Sequence, residues 1–279
     1  GNNPYGQIGI NNTINQLQPI FINPLSYGND KITKICCGSN HTLLLTETGK
    51  IYSCGKNEFG ELGLGHNDDS NHFQCMQSNQ IDSNNNFINE NFKDIATGSG
   101  HSLAITESGN LYGWGKNLYK QVCGSNDINI NSPRLLNISF LNGQIIRDIG
   151  CKEFYSSIIT IEGKIYAWGS NFDGLLVGML NSPNKVQYPA RVTGKYHFIK
   201  ENVIAFEGCM IQGSMSFFCI TKNGKLFVWG RNDFGKLGLG DKTMRDQPSQ
   251  CNGTMFGENY SNNRLYINDS FDDVLIEFQ

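Results

Sequence analysis

Residues 98–117, GSGHSLAITESGNLYGWGKN, contain the pattern around which the chain is organised. The apolar and aromatic residues on both sides of Ser108-Gly109 are typical of two short strands, and the Ser-Gly pair predicts the tight turn of a β-hairpin. The pattern returns at 38–57, 152–171 and 213–232. The turns recur at intervals of 60, 54 and 61 residues, with glycines at Gly49, Gly109, Gly163 and Gly224. A motif with this period predicts a repeat protein.

Each hairpin is followed by a glycine-rich loop, which reads GKNEFGELGLG at 55–65 and GRNDFGKLGLG at 230–240. Residues 1–10, GNNPYGQIGI, match the same loop, so the given sequence begins inside a motif. Two further strands complete a unit. We predict an opening strand at Ile32–Cys36, Phe92–Ala96, Ile146–Gly150 and Val203–Phe206, and a strand led by proline at 19–22, 133–138 and 189–192. About four short strands for each unit predict a β-propeller.

The repeat, best preserved in His101–Gly115 and Phe59–Gly65, resembles that of the regulator of chromosome condensation family. The resemblance covers nearly the whole chain: a leading fragment, four full units and a trailing strand at 272–279. It implies an all-β fold, a β-propeller of four-stranded antiparallel blades, with about five of the family's seven blades present. Three positions depart from the family pattern, where Cys54, Tyr155 and Ser216 replace its tryptophan or histidine.

The repeat boundaries predict a single domain over 1–279. Its units span about 1–31 (partial), 32–91, 92–145, 146–202, 203–251 and 252–279 (partial). The two partial ends could together close a five-bladed ring, or the chain could be a piece of a larger propeller. We favour the piece, because the sequence starts inside a motif and ends inside a strand.

Composition narrows the classes of function. The chain has 279 residues, 38% of them hydrophobic, and a formal net charge of -3, which argues against a nucleic-acid-binding protein. The nine cysteines contain no C-x-x-C pair and indicate reduced thiols of an intracellular protein, cytoplasmic or nuclear. No apolar run reaches the length of a membrane span. We attribute the abundant asparagine to genome composition.

No pattern of residues predicts a catalytic, cofactor or metal site. His41 and His101 share one repeat position, and we interpret them as structural hydrogen-bonding groups rather than as a site. The loop 66–75 gathers two histidines, two aspartates and a cysteine, but without a zinc spacing, so a polar loop is favoured over a metal site. The glycine-rich loops lack the order of a phosphate-binding loop. Trp114, Trp168 and Trp229 are predicted to pack between blades.

One segment suggests a binding surface, because cations and aromatic residues concentrate there. The candidate partner-binding residues are Lys185, Arg191, Lys195, Tyr196, His197 and Lys200. Such a cluster could anchor an acidic protein partner, and the alternative is a solvated loop. We therefore predict a non-catalytic protein–protein interaction module with no cofactor. The alternative, which the family resemblance implies, is a guanine-nucleotide exchange factor for a Ran-type small GTPase.

Overall fold

The computed structural model describes residues 1–76, 90–122, 124, 126–171, 175–176, 184–192, 202–211 and 214–251. These residues form four separate antiparallel sheets of four strands, and within each sheet the strands pair in chain order. Each sheet is one blade. The predicted all-β propeller fold is thereby confirmed, and the only helical segments described are two short 3-10 turns at Pro24–Tyr27 and Ser139–Leu141.

The blades share one strand plan. Blade one comprises β1 (Ile32–Cys37), β2 (His41–Thr46), β3 (Ile51–Gly55) and β4 (Ser70–Cys75). Blade two comprises β5 (Phe92–Thr97), β6 (His101–Thr106), β7 (Leu111–Lys116) and β8 (Asn129–Leu135). Blade three comprises β9 (Ile146–Lys152), β10 (Tyr155–Thr160), β11 (Ile165–Ser170) and β12 (Lys185–Arg191). Blade four comprises β13 (Val203–Ile211), β14 (Ser214–Thr221), β15 (Leu226–Gly230) and β16 (Arg245–Gln250).

The four predicted opening strands are confirmed, whereas the prediction for the proline-led strands is partly wrong. Residues 19–22 are in no strand. Pro133 and Pro189 lie inside β8 and β12 instead of starting them. Both strands form the edge of a sheet, and each pairing contains a register shift, at Gly113/Gly115 and at Ala167/Gly169. Proline lacks the N–H of a ladder bond, so an edge strand with a bulge tolerates it.

The blades are arranged with their first strands close to one another. An ion pair joins Lys34 of β1 to Asp94 of β5, and another joins Lys152 of β9 to Glu207 of β13, with 2.7 Å between Nζ and Oε2. Because the strands of a blade alternate in direction, the loops after its first and third strands emerge on one side. We call this side the loop face. The hairpin turns between second and third strands, such as that at Gly109, lie on the opposite side.

Candidate functional site at the blade junctions

The glycine-rich loop of each unit is built on a buried asparagine. The side-chain oxygen of Asn57 accepts a hydrogen bond of 2.9 Å from the backbone N–H of Leu62, while its amide donates to the carbonyls of His66 and Asp68. The oxygen acceptor recurs in every unit, at Asn3, Asn57, Asn117, Asn171 and Asn232. Sequence reasoning missed this role, although an asparagine two residues after each glycine was a visible signal.

The buried loop then accepts hydrogen bonds from the next blade. The indole N–H groups of Trp114, Trp168 and Trp229 donate to the carbonyls of Glu61, Gln121 and Leu175, at 2.8, 2.9 and 2.9 Å. All three tryptophans are fully buried, which confirms the prediction that they pack between blades. Blade one carries a cysteine at this position, and the Cys54 thiol donates to the carbonyl of Gln7 over 3.4 Å.

A second hydrogen bond crosses the same junctions from histidine. His41 Nε2 lies 3.2 Å from Ser102 Oγ, and His101 Nε2 lies 3.0 Å from Ser156 Oγ. The Ser156 hydroxyl donates to the carbonyl of Gln121, so it accepts from His101 Nε2–H and fixes that tautomer. Both imidazoles are buried, which supports the structural interpretation.

The third junction replaces this polar pair by an aromatic pair. Tyr155 stands at the histidine position of blade three, and Phe217 stands at the serine position of blade four. Their ring centroids are 5.5 Å apart in an edge-to-face arrangement. An edge-to-face ring contact thus takes the place of the imidazole–hydroxyl hydrogen bond at this junction.

Acid should weaken the junctions through the two histidines. Burial lowers the pKa of His41 from 6.5 to about 4, and burial with the neighbouring His41 lowers that of His101 to about 3. Between the folded and unfolded pKa values the unfolded chain binds more protons, so stability is complete above about pH 6.5 and falls as the pH drops toward 4. From pH 7 to 5 we expect each histidine to account for a loss of about 2 kcal/mol.

Denaturant unfolding at pH 7 and pH 5 measures this loss. The His41→Gln variant should lose less stability between the two pH values than the wild type does, even if it is less stable at both. Equal losses for the two proteins would contradict a neutral, buried His41 in the folded state.

Above these buried contacts, a lysine ammonium lies over an aromatic ring at each of three junctions. Lys56 Nζ lies 5.2 Å from the ring centroid of Tyr5, Lys116 Nζ lies 4.4 Å from that of Phe59, and Lys185 Nζ lies 5.5 Å from that of Tyr119. The rings stand at one repeat position, and in each case the lysine comes from the following blade. We call these six residues the aromatic–lysine row. It lies on the loop face.

The row includes one of the candidate partner-binding residues. Lys185 begins β12 on the loop face, whereas Arg191 ends the same strand, so the structure does not bring the two cations together. At about 3.3 Å for each residue of a strand, they are roughly 20 Å apart. The other four candidates, Lys195, Tyr196, His197 and Lys200, lie outside the described residues.

Other side chains do not assemble into a reactive site within the described ranges. The polar loop expected at 66–75 is a loop only over 66–69, because Ser70–Cys75 form β4. His66 Nδ1 lies 3.9 Å from a carboxylate oxygen of Asp68, whose side chain is 95% exposed. Over the part of the chain that the structure describes, no group of three histidine, cysteine or acidic side chains is placed to hold a metal ion. No helix in the described segments is long and apolar enough to span a bilayer.

Four-stranded blades that repeat along the chain, and that are joined by an indole hydrogen bond at three junctions, define a repeat β-propeller. The model of the RCC1-like domain matches residues 1–263, and the chain belongs to this family.

Relatives of known name support the assignment. The human RCC1-like G exchanging factor-like protein is 29% identical over 261 residues, which are 92% of this chain and 53% of that protein. The Arabidopsis thaliana ultraviolet-B receptor UVR8 is 28% identical over 253 residues, 88% of this chain and 51% of the receptor. The chain thus spans about half the length of these curated relatives.

Solved structures show the same fold. The crystal structure of human WBSCR16 has a TM-score of 0.70 and 26% identity, covering 90% of this chain and 61% of that one. Yeast RCC1 (Prp20), solved bound to Kap60, has a TM-score of 0.65 and 19% identity, covering 85% of this chain and 51% of that one.

Proposed function

We propose that this chain is a non-catalytic interaction module whose loop face binds another protein. The observation that carries the proposal is the aromatic–lysine row. Partly exposed rings held by the fold supply contact area at a low cost in side-chain entropy, and lysines beside them supply charge that steers a partner. Aromatic residues are enriched in the centres of protein interfaces.

The structural role of the two histidines supports a non-catalytic function for this chain. A general base needs access to substrate and a pKa near the working pH. His41 and His101 are buried, their pKa values are lowered by burial, and their Nε2 atoms meet serine hydroxyls of the next blade. They serve to join blades.

Site-directed photo-crosslinking in cell extract tests which face binds. A photoreactive residue at Phe59 or Lys116 samples the loop face, and one at Glu107 or Glu162, both exposed in hairpin turns, samples the opposite face. We expect specific adducts from the first pair only. Adducts confined to the second pair, or none from any position, would contradict the proposal.

A second candidate function is guanine-nucleotide exchange on a Ran-type small GTPase. It is favoured by the name of the human relative that is 29% identical to this chain, an exchanging-factor-like protein. The two functions differ in a simple assay, the release of a fluorescent guanine nucleotide from a purified GTPase. An interaction module leaves the intrinsic release rate unchanged, whereas catalytic amounts of an exchange factor accelerate it.

A further inference from the structure

The junction between blades two and three carries a group of exposed and half-buried side chains that differs from the preceding junction. The ring centroids of Tyr119 and Phe154 are 5.1 Å apart. Lys185 Nζ lies over Tyr119 and donates a hydrogen bond of 3.0 Å to the carbonyl of Leu118. The Leu118 side chain is 43% exposed. Two loops and the outer strand β12 therefore meet in one mixed apolar and cationic surface.

Two more residues extend this surface along the loop. Lys120 Nζ lies 3.4 Å from Asn126 Oδ1. Tyr188 of β12 is 60% exposed, and its ring lies 3.5 Å from where a Cβ of Gly124 would stand. We call the six residues the Tyr119 patch: Leu118, Tyr119, Lys120, Phe154, Lys185 and Tyr188.

The preceding junction shows which of these side chains the fold itself requires. Strand register aligns blades one and two with blades two and three, so each patch residue has a counterpart there. The counterparts, in the same order, are Glu58, Phe59, Gly60, Gly100, Asn129 and Ser132. Only the ring of Phe59 is kept, and the ammonium over it comes from Lys116 instead of the outer strand. The same junction forms with acidic, small or neutral residues at the positions of Leu118, Lys120, Phe154 and Tyr188, so folding does not explain those four side chains.

The backbone at Lys120 gives an independent indication. Lys120 has φ 68°, in the left-handed region, where the equivalent loop positions have Gly6, Gly60 and Gly235. A residue with a Cβ is strained in this conformation, which glycine adopts freely. Strain of this kind is concentrated at functional sites, where a side chain offsets it by another role.

The charges of the patch select the kind of partner. Lys185 is exposed, and among the described residues its ammonium meets only neutral groups, the Leu118 carbonyl and the Tyr119 ring. Glu153, the acidic residue nearest in sequence to Phe154, is exposed. Its backbone carbonyl accepts a hydrogen bond from the backbone N–H of Ser99. An ammonium over a ring leaves its outer side open to a carboxylate, and the neighbouring apolar surface suits a phenylalanine or leucine side chain.

We propose that the Tyr119 patch binds an acidic segment of the partner protein that carries a phenylalanine or leucine among its carboxylates. This inference rests on the proposed function, because it names the part of the loop face that makes the decisive contact.

The test uses a fluorescent synthetic peptide of aspartates and glutamates around one phenylalanine, and a control peptide with lysines in place of the acids. The patch variant carries the residues of the preceding junction, Leu118→Glu, Lys120→Gly, Phe154→Gly, Lys185→Asn and Tyr188→Ser. The matched control is Lys50→Ser with Lys222→Ser, two exposed lysines in hairpin turns on the side opposite to the loop face. Circular dichroism and thermal unfolding verify that each variant folds.

Fluorescence anisotropy should show that the wild type binds the acidic peptide and not the basic one, more weakly at higher salt. We expect at least about tenfold weaker binding by the patch variant and near-normal binding by the control variant. If the patch variant keeps its binding, or the control variant loses as much as the patch variant does, the patch inference is wrong. Absence of acidic-peptide binding by the wild type would also overturn it, while the photo-crosslinking result would stand separately.

Discussion

Trp114→Ala should lower the free energy of unfolding by about 3–5 kcal/mol. Trp114 is fully buried in the core shared by blades one to three, and its indole N–H satisfies the carbonyl of Glu61 at 2.8 Å. Removing the side chain leaves a large cavity between two blades and deprives a buried acceptor of a donor. Both terms act in the same direction, so the effect should be among the largest for a single substitution in this chain.

Two further variants serve as controls for this measurement. His66→Ala alters a partly exposed loop residue and should change stability by less than about 0.5 kcal/mol. Trp114→Phe keeps much of the apolar volume but loses the N–H donor, so its loss should fall between the other two. Denaturant midpoints provide the comparison, and a larger effect for His66→Ala than for Trp114→Ala would contradict the assigned burial.

Gly60→Ala should destabilise the chain by about 3 kcal/mol, because two costs combine there. Gly60 has φ +81°, and a Cβ at this position would stand 2.3 Å from the Cα of Asn131 in the next blade. Backbone cannot move aside as a flexible side chain can, so the loop itself must shift away from blade two.

Gly109 separates the two costs. It has φ +91° in the turn between β6 and β7, but a Cβ there would meet nothing within 4 Å. Gly109→Ala therefore carries only the backbone strain, about 1–2 kcal/mol. Thermal or denaturant unfolding of the two variants should rank Gly60→Ala clearly below Gly109→Ala. Equal losses would show that the loop yields to the added methyl group without cost.

The sequence predicted the fold best at positions where one local feature, such as a tight turn, needs one type of residue. The turn glycines, the strand pairs around them and the inter-blade tryptophans follow from period, turn chemistry and apolar size, and the structure has them as predicted. The strand expected at 19–22 was wrong because proline marks an edge position in this fold and not the start of a strand. Proline restricts φ but does not by itself supply a pairing partner.

The candidate site was harder to derive, because it depends on contacts between units. Lys185 lies 66 residues after Tyr119 in the chain, yet its ammonium lies over that ring. In the other two junctions the lysine ends the third strand, at Lys116, or directly follows it, at Lys56, whereas blade three has Ser170 at that position and the cation comes from β12. Likewise, the sequence analysis grouped Lys185 with Arg191, although the two residues lie at opposite ends of β12.

The indole hydrogen bonds between units all run in one direction along the chain. Each of the three indoles donates to a carbonyl of the preceding loop, so a loop depends on the blade that follows it for this donor. The first link differs, since Cys54 donates a thiol over 3.4 Å where the others donate an indole N–H, and Thr42 Oγ1 adds a hydrogen bond of 2.7 Å to the same carbonyl of Gln7. A thiol is the weaker donor, so we expect the leading fragment to separate from blade one before the blades separate from one another.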